Sequence, residues 1–149
     1  MRTSDQAGPY SFDGTNLTLV TSAPAAGTAG YPAGATPLQN ASGNVSAAVA
    51  VATLAAAAGK TTYCTGFTIS SSGATVAAVV TATLAGLLGG TASYTYAVAS
   101  GITAQNAIVT VILAFPLPAS ALNTAIVLTL PSLGLGNTNA TVTAYGFQL

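Results

Sequence analysis

From Thr61 to Leu149 the chain carries no charged side chain. Whatever this stretch folds into must meet water with Thr, Ser, Asn, Gln and Gly. Apolar and hydroxyl-bearing residues alternate along it, the period of a strand with one buried face. Ala74, Val76, Ala78, Val80, Ala82 and Leu84 share one parity, with Thr75, Thr81 and Thr83 on the other. Over Thr91 to Ala99, Tyr94, Tyr96 and Val98 alternate with Ser93 and Thr95. Thr124 to Leu130 groups Ile126, Leu128 and Leu130, and Thr138 to Phe147 groups Thr141, Thr143, Tyr145 and Phe147. Thr61 to Ser70 sets Tyr63, Phe67 and Ile69 against Thr62, Thr68 and Ser70. Ala107 to Phe115 is apolar on both faces, which predicts a covered strand. Val45 to Leu54 places Val45, Val49 and Val51 on one parity, although the Ala-rich run Ala47 to Ala58 has the intrinsic propensity of a helix.

These runs are separated by Gly, Pro and Asn, with no helix-length segment between them. They predict an all-β domain over residues 44–149, a jelly-roll-like antiparallel β-sandwich. Residues 1–43 differ in kind. They hold four of the 7 prolines and, in Arg2, Asp5 and Asp13, every charged residue except Lys60. Turn formers are dense there, which predicts an extended N-terminal arm with a short strand at Asn16 to Val20. Its apolar anchors are Tyr10, Phe12, Leu17, Leu19 and Tyr31. An extended segment with such anchors is a candidate partner-binding element. Removing residues 1–40 is therefore expected to leave the sandwich folded.

The inventory excludes most chemistry. Without histidine, Ser–His–Asp and Cys–His catalysis are impossible. The carboxylates are Asp5 and Asp13, both in the arm, so no acid–base pair is expected in a folded pocket. One Cys and two Asp do not make a zinc site, and no metal or other cofactor is expected. Two basic residues far apart exclude nucleic acid as a partner. Ala74 to Leu88 is apolar but is too short for a membrane span and has strand period, so no membrane partner is expected. The N-terminus shows no apolar signal region, which points to synthesis in the cytoplasm of the producing cell.

Leu54-Ala55-Ala56-Ala57-Ala58-Gly59-Lys60-Thr61 lacks only the first glycine of a phosphate-binding loop. The residues that follow read as strand, whereas that loop needs a helix N-terminus, so a turn between strands is expected. Cys64 reads as a small buried residue in a strand. Tyr94 and Tyr96 read as core or subunit interface in preference to a sugar platform.

A resemblance adds to this reading. It rests on Gly59-Lys60-Thr61-Thr62-Tyr63 with Gly66-Phe67, and on Leu87-Leu88-Gly89-Gly90-Thr91 with Tyr94-Thr95-Tyr96. Phe115-Pro116-Leu117-Pro118-Ala119-Ser120-Ala121 and Gly134-Leu135-Gly136-Asn137-Thr138-Asn139-Ala140 with Tyr145-Gly146-Phe147 complete it. Over residues 45–149 the chain resembles small jelly-roll-like virion structural proteins of tailed phages and prophages, of the head decoration or cement type. The resemblance implies a non-enzymatic protein on the outer capsid surface of the virion, bound to the major capsid protein, stabilising the shell, and forming a homotrimer. The near-zero net charge independently favours association. The alternatives are a receptor-binding or fibre-tip module that recognises carbohydrate, and an extracellular adhesive module.

Overall fold

In a computed structural model of the chain, residues 10–12, 17–19, 30–101 and 107–149 are described. Their regular structure is all strand: β1 Tyr10–Phe12, β2 Leu17–Leu19, β3 Thr36–Ala41, β4 Ala50–Leu54, β5 Thr62–Ala74, β6 Ala78–Leu87, β7 Gly90–Val98, β8 Ala107–Pro118, β9 Ile126–Leu130 and β10 Asn137–Gln148. The chain divides into two compact units, Met1–Ala35 and Thr36–Leu149. In the first, β1 and β2 pair antiparallel, with Tyr10 opposite Leu19 and Phe12 opposite Leu17.

The second unit holds two four-stranded antiparallel sheets, ordered β3-β10-β5-β8 and β4-β9-β6-β7. Its pairs are nested: β3 with β10, β4 with β9, β5 with β8, and β6 with β7. A long hairpin rolled up so that β10 also meets β5, and β9 also meets β6, is the jelly roll that the sequence predicts.

Between the sheets lies one core. Phe67, Ile69, Val142 and Ala144 enter it from one sheet, and Leu54, Leu84, Tyr96, Ile126, Leu128 and Leu130 from the other. Each fully buried Leu or Ile contributes roughly 1.5–3 kcal/mol relative to exposure. The parities read from sequence for β6, β7 and β9 are those observed, with Ala82, Leu84, Tyr96, Val98, Ile126 and Leu128 buried. Tyr96, 1% exposed, brings a polar atom into this core. Its hydroxyl lies 2.6 Å from Ser71 Oγ and donates to the Ala107 carbonyl at 2.8 Å, tying β7 to β5 and β8 across the sandwich.

The β5–β10 ladder is interrupted once. Tyr145 pairs with Gly66, and the next pair is Gly146 with Cys64, so Thr65 is an extra residue on β5. This bulge inverts the alternation of β5. Thr62 and Cys64 point inward before it, and Phe67 and Ile69 after it. The expected common face for Tyr63, Phe67 and Ile69 is therefore corrected: Tyr63 is on the outer face and stacks on Phe147 with ring centroids 4.9 Å apart. Glycine is required on both strands here. A Cβ on Gly146 would run into the Tyr63 carbonyl, and one on Gly66 into the Val111 carbonyl.

Three further expectations change. Thr36–Ala41 is hydrogen-bonded to β10, so the arm ends at residue 35 rather than 43, and a deletion through residue 40 removes an edge strand. Pro37 is tolerated because β3 lies at an edge. β8 is not covered on both faces: it is the other edge of the same sheet, and Ile112 is 85% exposed. In β4 it is Ala50, Ala52 and Leu54 that face the core, while Val49 and Val51 face outward. Within the Ala run, Ala50–Leu54 is thus strand, paired beside β9 with its small side chains on the inner face, and residues 55–58 form the loop that follows, so tertiary pairing overrides the helix propensity.

Replacing Tyr96 with Phe leaves Ser71 and the Ala107 carbonyl without their buried partner. The expected loss is about 1–3 kcal/mol, read from denaturant unfolding. Burial also pushes the Tyr96 hydroxyl above its ordinary pKa of 10.0. The unfolded chain therefore loses this proton first, and stability should fall as pH rises past about 10. The Tyr96→Phe variant should lose that part of the alkaline slope.

Candidate functional site

Among the described residues Lys60 is the sole charged side chain, and no group of three or more His, Cys, Asp or Glu lies together. Asp5, Asp13 and Arg2 lie outside the described residues. No described helix is long and apolar enough to cross a membrane. Cys64 is buried in β5, and desolvation raises its thiol above the ordinary value of 9.0. A thiol of that kind is a poor nucleophile.

The loop between β4 and β5 has no capacity for phosphate. Gly59 N–H donates to Asn123 Oδ1 at 2.6 Å, and Lys60 N–H donates to the Ala57 carbonyl at 3.1 Å. Asn123 in turn donates its N–H to the Lys60 carbonyl at 3.0 Å, from a left-handed conformation with φ of 59°. The amides of Gly59 and Lys60 are spent on the turn, and β5 rather than a helix follows, so no helix N-terminus faces the loop. This is the turn between strands that the sequence predicts.

Among the described residues, two clefts on the sandwich bear on function. One, about 240 Å³, is neutral and more polar than apolar, lined by Asn44, Ser70, Ser71, Ser72, Asn139, Ala140 and Thr141. The Asn44 Nδ2 donates to Asn139 Oδ1 at 2.7 Å across it. The other, about 220 Å³, is apolar and lies between the β6–β7 turn and the end of β8, lined by Leu87, Gly89, Gly90, Ala92, Leu117 and Pro118. Leu88 N–H donates to the Pro118 carbonyl at 2.9 Å and holds its rim. Tyr94 lies half-buried against Phe67, edge to face with centroids 4.8 Å apart, so both strand tyrosines belong to the core.

The five residues singled out in the arm fall in the first unit. The β1–β2 register sets Tyr10 with Leu19 and Phe12 with Leu17 in directly opposed pairs two residues apart. Directly opposed residues of an antiparallel ladder share a face, so these four occupy same-face positions. Tyr31 lies in the segment before β3 and is half-buried. Sequence reasoning missed both clefts and the exposed flank of β8. The signals were present: Gly89-Gly90 marks a tight hairpin, and a strand apolar on both faces can be an uncovered edge as well as a covered centre.

Compared with protein-family models, curated proteins and solved structures, the chain matches none.

Burial predicts the behaviour of the thiol. In native buffer Cys64 should react with a water-soluble thiol reagent at least about a hundredfold more slowly than in denaturant, because access requires opening of the sheet. Native and denatured rates that match would show that β5 is not held closed.

Proposed function

We propose that the chain is a non-enzymatic virion structural protein of a tailed phage, a capsid decoration or cement protein that binds the outer capsid surface. The observation that carries this reading is the joining of a jelly-roll sandwich whose one charged side chain is Lys60 to a separate N-terminal unit. That unit has four apolar residues at same-face positions of a hairpin. Among the described residues the sandwich gathers no cluster of His, Cys, Asp or Glu, and its one Cys is buried, which supports a structural role over a chemical one. A protein built to sit on a shell through changes of medium is well served by a surface with almost nothing to titrate or screen.

In this reading the N-terminal unit, Met1–Ala35, is the element that engages the major capsid protein, through Tyr10, Phe12, Leu17, Leu19 and Tyr31. The sandwich supplies the outer surface and the contacts of a homotrimer. Binding to the assembled shell alone stabilises that shell by mass action, by about 2.7 kcal/mol per site when the free protein is at a hundred times its Kd. Apolar burial provides the free energy, because charge pairs are scarce.

Glycan recognition is the second reading, and the polar cleft at Asn44 and Asn139 favours it. No aromatic ring lines that cleft, so the stacking platform common to sugar sites is missing from it. Binding of defined oligosaccharides on an array, lost on Asn139→Ala, would favour this reading over decoration.

Deleting residues 1–35 is expected to leave an all-β circular dichroism spectrum, because no strand of the sandwich is removed. The same deletion should abolish co-sedimentation with capsid shells of the phage that encodes the chain. Hundreds of copies per virion on a calibrated gel fit decoration, and a few dozen or fewer fit a fibre. Undiminished shell binding by the truncated protein would falsify the assignment of the first unit as the anchor.

A further inference from the structure

Among the described residues β8 has a neighbouring strand on one side only. Every second residue along it directs N–H and C=O away from β5, and such an edge is a template for another strand. Proteins ordinarily protect a long edge with Lys, Pro, a bulge or a covering loop. Ala107-Ile108-Val109-Thr110-Val111-Ile112-Leu113 has no charge, no Pro and no Gly. Ile108 is 58% exposed and Ile112 85%. β8 has defences of its own only beyond this run, in Pro116, Pro118 and the register irregularity between Ile112 and Leu117, whereas the other edges are defended nearer their middles. β3 carries Pro37, and its Asn40 Oδ1 accepts the Thr53 N–H of β4 at 2.9 Å, closing that flank. β7 presents Ser93 and Thr95 outward.

The β8 run also reads the same in both directions. About Thr110 it is Ile108-Val109-Thr110-Val111-Ile112. An antiparallel strand of the same sequence therefore matches it residue for residue: Thr110 meets Thr110, Ile108 meets Ile112, and Val109 meets Val111. The faces agree as well. Thr110, opposite Thr68, lies on the outer face of the sheet with Ile108 and Ile112, while Val109 and Val111, opposite Ile69 and Phe67, lie on the inner face. We propose that β8 is a self-association edge, which pairs with β8 of a second copy across a twofold axis at Thr110 and extends the four-stranded sheet to eight.

A twofold contact needs one surface that complements itself, and a strand with a palindromic side-chain pattern meets that need. β-branched and Thr–Thr cross-strand pairs are among the favourable ones. No charge opposes the approach, since Lys60 is the sole charged side chain among the described residues and lies outside β8. Ile108, Val109, Ile112 and Phe115 leave on the order of 500 Å² of apolar surface open on this flank, against ~800 Å² per partner in a standard interface. The contact is independent of the capsid reading and needs no shell. It is also compatible with a trimer, whose copies it would link in pairs.

The test is disulfide trapping in the full chain. In a Cys64→Ala background, Thr110→Cys places two thiols at a directly opposed pair, where Cα atoms lie about 4.5–5.5 Å apart, within disulfide reach. Mild oxidation at micromolar protein should give mostly a cross-linked dimer of twice 14.3 kDa, whereas Thr95→Cys on β7 should stay uncross-linked. Sedimentation of the unmodified chain should show an even number of copies, and Ile112→Lys, at an exposed position, should halve that mass with an unchanged circular dichroism spectrum. A monomer, a bare trimer, or equal cross-linking of Thr110→Cys and Thr95→Cys would each overturn the proposal. Should Ile112→Lys fail to fold, the near-isosteric Thr110→Cys still decides.

Discussion

The β5–β10 ladder is the interaction on which the sandwich depends. It joins a strand from the middle of the chain to the last one, and each is flanked by an edge strand, β8 or β3. Its register decides which residues reach the core, because a slip of one residue would turn either Phe67 and Ile69 of β5 or Val142 and Ala144 of β10 outward. The Thr65 bulge is part of that register. It lets Cys64 and Phe67 both face inward although their separation is odd, and it sets Tyr63 outside against Phe147. β10 comes so close to β5 there that only glycine fits at position 146, and β8 comes so close on the other side that only glycine fits at position 66.

Much of this architecture is legible in the residues, and the failures have physical causes. Where Thr or Ser alternates with larger apolar residues, as in β6, β7 and β9, the buried face can be read directly. β5 misleads because a bulge inserts one residue without any change in composition. β3 escapes notice because only Leu38 of Thr-Pro-Leu-Gln-Asn-Ala is partly buried against the core, so no alternation can show. β8 is the opposite case: both of its faces are apolar, and a centre strand and an uncovered edge share that signature. The candidate partner-binding residues were read from composition alone, and the structure adds their register, with Tyr10 opposite Leu19 and Phe12 opposite Leu17. The clefts were not legible because they are assembled from turns far apart in sequence.

The lack of charge shapes the surface as much as the core. Polar contacts on the sandwich run through hydroxyls and amides, such as Asn44 to Asn139, Thr53 to Asn40 and Gly59 to Asn123. These bonds are neither screened by salt nor switched by protons near neutrality. Long-range steering and self-repulsion are equally weak, so contact between copies is governed by shape and by which backbone groups remain unpaired.

Nested pairing has a consequence for how the molecule is made. β3 finds its partner only when β10 exists, and at 5–20 residues per second that wait lasts roughly 5–20 s. Within the sandwich, only the β6–β7 hairpin, closed through Leu88 and Gly89 with Leu87 opposite Gly90, can form from local sequence. The topology therefore favours folding that starts at this hairpin and zips outward, closing β5 on β8, then β4 on β9, then β3 on β10. Such long-range pairing is slow. During synthesis the strands after Lys60 emerge with their apolar parity exposed and no charge of their own, so crowding on the polysome bears hardest on the chain while β7 to β10 are being made.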